Sequence, residues 1–485
     1  MDPPVRRHRT RGAHAARPRG RVETAADALL GALEAGGPPT GEPAVAVALD
    51  AWLVDATGRP APRSTDFLVR LDDADVVAGA VQSALVIRVP EQPLAGDGLP
   101  RLERALQARW QRCAEVAGAM GLRVVAIGIL PTLRDEDLRR SRLCDAARGH
   151  ALQLQRLHER VAQPLQLDIE GPDGRHLRCE YTDVLPETAA GSCTLRLRLP
   201  PRRIAPLHDA LLVASAPLVA MSGNAPLLFG QALWQDTRVP LLEQVLGVRG
   251  AAAASGGLPL PLSGLGGGYA GASPAGLLRD IADLPGTRPP PGAAAGWLAA
   301  LRERLDRLWR WSRPTLDIDA EGHARLGLEL GLLPSGPGIG DMAALLGAAL
   351  GVAERWAVGP AAGSGTGEAP GAAARLPFAA VLANLQAAAL RGLSARLSWF
   401  DGREASAAEA AQELLREARL GLAALGVEPA VASGWIDRLD QRVATHRTGA
   451  RWQLARLHLR RGDLAAMTLD YVERQAGGEP VHAWT

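Results

Sequence analysis

The segment Ala44–Val54 (AVAVALDAWLV) is apolar, in part β-branched, and runs into the turn signal Asp55–Pro60 (DATGRP), which predicts a buried strand. Ala84–Val89 (ALVIRV) predicts a second short strand. Leu99–Met120 has the spacing of an amphipathic helix, with Asp97 or Gly98 to cap it, Pro100 in its first turn and Gly121 at its end. Leu122–Leu130 (LRVVAIGIL) predicts a buried strand ending at Pro131, and Asp135–Ala162 carries leucines at helical spacing. Leu165–Glu170 and His176–Tyr181 flank the turn residues Gly171–Gly174 and predict a hairpin. Cys193–Leu199 alternates strictly, with Leu195, Leu197 and Leu199 on one face and Thr194, Arg196 and Arg198 on the other.

Farther along, helices are predicted over Ile204–Met221, Trp297–Trp309 and Asp341–Trp356, a strand over Arg325–Leu333, and helices through the C-terminal third. Gly, Ala and Pro crowd residues 250–296 and 359–375, which predicts two loops, the first with a short helix near Pro274–Ala282. Because the strands alternate polar and apolar positions, the pattern points to an antiparallel sheet with helices on one face, an α+β fold rather than a doubly wound one. Residues 1–40 are expected to form a disordered basic tail, and 41–485 a single domain.

Composition narrows the function classes. A hydrophobic share of 47% supports a substantial core, and a formal net charge of +2 implies no polyanionic partner. The chain has no lysine, which excludes P-loop and Schiff-base lysine chemistry. Its four cysteines form no CxxC pair, so a zinc site is not expected, and their wide spacing fits reduced thiols in a cytoplasmic protein. No membrane span is expected, and the basic N-terminal stretch lacks the apolar core of a secretory signal. Nucleic-acid contact by that stretch is a minor alternative. Gly264–Gly268 (GLGGG) lacks the strand-to-helix setting of a phosphate loop, and Ser215 and Ser222 lack that of a nucleophile elbow.

Seven segments together resemble the glutamate–cysteine ligase-like carboxylate–amine ligases. They are Leu53–Pro60, Pro93–Gly96 (PLAG), Ile127–Leu133 (IGILPTL), the long block Leu211–Gln244, Trp309–Pro314 (WRWSRP), Leu328–Gly336 (LELGLLPSG) and Gly478–Trp484 (GEPVHAW). Each is weak alone, but their order spans nearly the whole folded chain. The resemblance implies a glutamine synthetase-like fold, a curved antiparallel sheet whose concave face holds the site. It also implies ATP-dependent joining of glutamate or a similar carboxylate to an amine such as cysteine, with Mg²⁺ held by carboxylates because a hard cation prefers oxygen.

The family's site motifs fall on altered residues here. Its Glu-x-Glu lands on Ala48–Leu49–Asp50, and its Asn-x-Glu-x-Asn on Ala84–Arg88, where Val86 stands for the carboxylate. Its Gln-x-His-x-Gln lands on Thr194–Arg198 with Arg196 in place of the imidazole, and its Arg-x-Glu-x-Arg on Gly327–Gly331, which keeps Glu329 alone. The framework residues Asn224, Pro226, Trp234, Thr237, Arg238, Gln244 and Arg313 match. The candidate cleft residues are therefore Asp50, Arg88, Thr194, Arg196, Arg198, Asn224, Arg238 and Glu329, with Asp50 and Glu329 as possible metal ligands. Asn224 is alternatively a turn or cap residue, and Arg238 either grips a substrate carboxylate or locks its block through a buried ion pair.

These substitutions suggest a pseudoenzyme that has lost metal-dependent catalysis and serves a binding or scaffolding role. Guanidinium groups would pair with Asp50 and Glu329 in place of metal. Alternatively Arg88, Arg196 and Arg198 hold a small anion, or the chain remains an active ligase using ATP and Mg²⁺ in an altered site. A third reading is a subunit that completes a partner's site. Protein partners and homo-oligomers are both compatible with the sequence.

Overall fold

The structure is a computed structural model and describes residues 42–144, 165–181, 185–246, 264–271, 309–318, 324–358 and 375–485, with residues 277, 302 and 305. The predicted tail, the loop at 359–374 and most of the 250–296 loop lie outside the described residues, as does most of Trp297–Trp309.

The centre of the fold is a sheet built on β1 (Ala44–Val54). In chain order come α1 (Ser64–Leu71), β2 (Val76–Ala78), β3 (Ala84–Pro93), α2 (Gly98–Ala119) and β4 (Arg123–Val125). The hairpin β5 (Leu165–Glu170) and β6 (His176–Tyr181) precedes β7 (Cys193–Arg198) and α3 (Pro201–Ser222). After the short pair β8 (Leu227–Leu228) and β9 (Gln231–Ala232) follow α4 (Arg238–Leu246), β10 (Ser312–Ile318), β11 (Ala324–Leu330) and α5 (Ile339–Val358). The C-terminal part holds α6 (Phe378–Arg391), β12 (Arg396–Ser398), β13 (Glu404–Ser406), α7 (Ala407–Ala424), α8 (Pro429–Thr445), α9 (Gly449–Leu459) and α10 (Leu464–Ala476).

The strand order is β10-β11-β7-β1-β3-β2, with β4 pairing the end of β1, and every one of these pairings is antiparallel. Side chains alternate between faces along each strand. Leu49, Leu85, Ile87, Leu195, Leu197 and Leu328 are buried on one face, where α2 and α3 pack. The fold is α+β, with α2 and α3 packed on the leucine face of the sheet. Helix α3 is buried almost from end to end because α5 and α6 cover the side turned away from the sheet. By length and composition alone α3 would also cross a membrane, but its apolar surface is used inside the protein.

Two predicted elements change. Only Arg123–Val125 of Leu122–Leu130 is strand; Ala126–Leu130 is buried irregular chain, satisfied in part by Gln475, whose side chain accepts from the Ala126 N–H (3.0 Å) and donates to its carbonyl (2.8 Å). Asp135–Arg142 forms two short 3₁₀ turns instead of the start of an α-helix, separated by extended Arg139, and residues 145–162 lie outside the described residues. Helix α3 starts three residues earlier than predicted, at Pro201, because proline suits a helix's first position.

Helices α5 and α7 cross closely at Gly351 and Gly421, where a β-carbon on Gly421 would run into the Gly351 carbonyl. Gly421→Ala is expected to destabilise the protein by about 1–3 kcal/mol, as overpacking does. A urea unfolding midpoint unchanged from that of the parent would contradict this contact.

Candidate functional site

The face of the sheet opposite the helices carries the polar positions. Antiparallel register sets Ala48 beside Arg88 and Thr194, Asp50 beside Val86, and Ala46 beside Arg196. It then sets Arg196 beside Glu329 and Glu329 beside Arg313. Two cavities open along this face and share Val86 and Arg313. The inner one, about 360 Å³, is lined by Asp50, Glu187, Thr194, Trp311 and Glu329 among others. The outer one, about 740 Å³, is lined by Arg88, Arg196, Arg198, Arg302 and Arg325, together with Glu91 and Asp317.

Glu329 sits between two guanidinium groups. Arg196 Nε donates to Oε2 at 2.7 Å and Arg313 Nε donates to Oε1 at 2.8 Å, and Arg313 also donates to the Leu305 carbonyl at 2.9 Å. Arg313 and Glu329 are only 15% and 11% exposed, whereas Arg196 is 61% exposed. The Arg313 pair is therefore the stronger contribution, and the Arg196 pair is weakened by solvent.

Asp50 has no guanidinium within ion-pair distance among the described residues. One carboxylate oxygen accepts from the Ser192 N–H at 2.9 Å. Burial pushes its pKa up to about 6, opposed by that hydrogen bond and by the field of Arg238. Arg198 pairs with Glu91 at 2.8 Å. Arg88 is exposed, and its guanidinium has no partner among the described residues. Thr194 is partly buried and lines the inner cavity.

The remaining two candidate residues do not reach the cleft surface. Arg238 has no exposure and grips Asp236 through two hydrogen bonds, Nε to Oδ1 at 2.9 Å and Nη2 to Oδ2 at 2.7 Å. It also donates to Ser192 Oγ at 2.9 Å and to the Leu332 carbonyl at 2.7 Å, so it ties α4 to the segment entering β7 and the segment leaving β11. Asn224 is neither a cap nor a cleft residue but a buried hub. Its Nδ2 donates to the Ser335 carbonyl at 2.7 Å and to Tyr471 Oη at 2.9 Å, while Oδ1 accepts from Gln453 Nε2 at 2.8 Å.

Sequence reasoning missed Glu187. It lies in a 3₁₀ turn, Leu185–Ala189, that matches no motif, and the fold alone brings it to the inner cavity. Burial pushes its pKa up to about 8. A carboxyl with a raised folded pKa keeps its proton in the folded state while the unfolded chain loses it. Stability therefore falls as pH rises from about 4.5 toward 8 and levels off above that. Glu187→Gln is expected to be near neutral at pH 4.5 and to stabilise by up to about 5 kcal/mol above pH 8. Thermal melts across this range check it; an equal shift at both ends would contradict it.

The donor set does not fit two divalent ions. Both oxygens of Glu329 face guanidinium groups, which leaves Asp50 as the only motif carboxylate free of a cation. A like charge about 4 Å from a metal ion opposes it by about 4 kcal/mol per unit charge at an effective dielectric near 20.

No family model matches the sequence, and no curated protein matches it. Among solved structures, the glutamate–cysteine ligase of Francisella tularensis in complex with AMP aligns with 91% of this chain and 95% of its own, at 11% identity and a TM-score of 0.52. This chain shares the fold of that ligase. A bifunctional glutathione synthetase from Pasteurella multocida aligns at 11% identity and a TM-score of 0.48, over 94% of this chain and 55% of its own length. A complex of the prokaryotic ubiquitin-like protein Pup with its ligase PafA aligns at 9% identity and a TM-score of 0.39, over 90% of this chain and 72% of its own.

Proposed function

We propose that this chain is a binding pseudoenzyme on a glutamine synthetase-like fold, in which metal-dependent carboxylate–amine ligase chemistry has been lost. The observation that carries this reading is the clamp of Arg196 and Arg313 on Glu329, the one glutamate kept from the motifs. Two guanidinium groups stand where the resemblance places a metal. They fix the carboxylate by charge-assisted hydrogen bonds, one on each oxygen, and their positive charge opposes a metal ion beside it.

In place of a metal-bound triphosphate, the outer cavity holds a small carboxylate or phosphate ligand. Arg88 is uncommitted, Arg196 shares its carboxylate with Arg313, and Arg198 is held at the cavity by Glu91. Guanidinium forks match the planar oxygen pairs of such anions without needing metal. Thermal-shift measurements with phosphate, glutamate and chloride at equal ionic strength test this. A selective rise with phosphate or glutamate that disappears in Arg88→Ala is expected. An equal response to chloride would show plain screening and sink the reading.

A further inference from the structure

The described residues pair most of their buried carboxylates with arginine: Asp236 with Arg238, Asp341 with Arg442, Glu354 with Arg203, Asp470 with Arg456 and Arg460, and Glu329 as above. Asp50 and Glu187, half-buried groups that both line the inner cavity, have no arginine partner among the described residues. A third lining group is also unsatisfied. Trp311 is 1% exposed and its indole N–H has no acceptor among the described residues. An orphaned buried donor costs about 1–3 kcal/mol.

Other charges around the cavity do not fill this gap. Arg313 is committed to Glu329 and to Leu305, Arg310 packs beneath Gly266, and Arg238 lies under the floor on Asp236. The space is also open on the β11 side. A β-carbon added to Gly331 would meet only Thr194 Oγ1, at 3.9 Å. Trp309 lies edge-on to Trp311 with ring centroids 4.5 Å apart, adding an aromatic wall to the cavity that favours a cation over an anion.

We infer that the inner cavity is a binding site for a small organic ligand that carries a protonated nitrogen next to a hydrogen-bond-accepting oxygen. The ammonium group pairs with Asp50 and Glu187, and the oxygen accepts from Trp311. The inference stands apart from the anion reading of the outer cavity, since it uses different residues. Binding requires Glu187 to ionise, so it releases a proton and strengthens with pH.

Isothermal titration of the full chain with 3-aminopropanol tests it, with 1-butanol as the neutral isostere and MgCl₂ alone as the metal arm. Affinity for 3-aminopropanol at pH 8.5 is expected to exceed that at pH 6 by at least about tenfold, with proton release seen as a buffer-dependent heat. Glu187→Gln, which mimics the protonated side chain, is expected to retain the fold and lose at least about tenfold in affinity at pH 8.5. Asp50→Asn is expected to do the same. Equal binding of 1-butanol, a flat pH profile, unchanged affinity in Glu187→Gln, or preferential binding of Mg²⁺ would each overturn the inference.

Discussion

Replacing Arg238 with leucine is expected to lower stability by about 3–5 kcal/mol, one of the two largest losses foreseen for a single side chain in this protein. The substitution strands the Asp236 carboxylate, which has no exposure, and also removes donors from Ser192 and from the Gly191 and Leu332 carbonyls. Breaking a buried pair from one side leaves an uncompensated charge, which is far worse than losing the pair as a whole. The double variant Arg238→Leu with Asp236→Leu should therefore recover part of the loss. Urea melts of the single and double variants check this. A single variant as stable as the parent would mean that Arg238 is not structural and would reopen its reading as a ligand-binding residue.

Asn224→Asp is expected to be nearly as damaging, by about 3 kcal/mol or more at neutral pH, although it changes only one atom type. The Nδ2 of Asn224 donates to the Ser335 carbonyl and to Tyr471 Oη, and Tyr471 Oη in turn donates to the Ala126 carbonyl at 3.0 Å. A carboxylate there would face the Ser335 carbonyl with no proton between them, in a place where each unsatisfied group costs about 1–3 kcal/mol. Acid should relieve part of the penalty by restoring one donor. A melt in which Asn224→Asp matches the parent at pH 7 would contradict the hub. The same network joins the Leu211–Gln244 block, the C-terminal helices and the Leu328–Gly336 segment, which meet at this one side chain.

What could be read from the sequence was whatever depended on local period. β1 matches its predicted bounds, Ala44–Val54, and β7 places Leu195 and Leu197 inside and Arg196 outside, because strict alternation leaves one register that buries the leucines. Leu122–Leu130 misled because a run of apolar residues reports burial, not hydrogen bonding; Ala126–Leu130 is buried by packing while the ladder ends at Val125. The site was half legible. The loss of motif carboxylates was visible, and the pairing of Glu329 with a guanidinium was expected, yet its second clamp, Arg313, had been placed only among framework residues. The expected guanidinium on Asp50 is not there: Asp50 takes the Ser192 N–H instead. Glu187 carried no signal, and Trp311 stood out only as part of the matching WRWSRP segment; its unpartnered N–H shows only when segments far apart in the chain arrive at one cavity.

On the proposed reading, the arginine clamp on Glu329 stands in place of metal-dependent ligase chemistry. The most direct measurement incubates the protein with Mg-ATP, glutamate and a panel of amines including cysteine, and follows ADP. No substrate-dependent ADP formation above the no-protein control is expected, in the parent and in Glu329→Ala alike. Sustained turnover that needs both glutamate and an amine, and that disappears in Glu329→Ala, would contradict it.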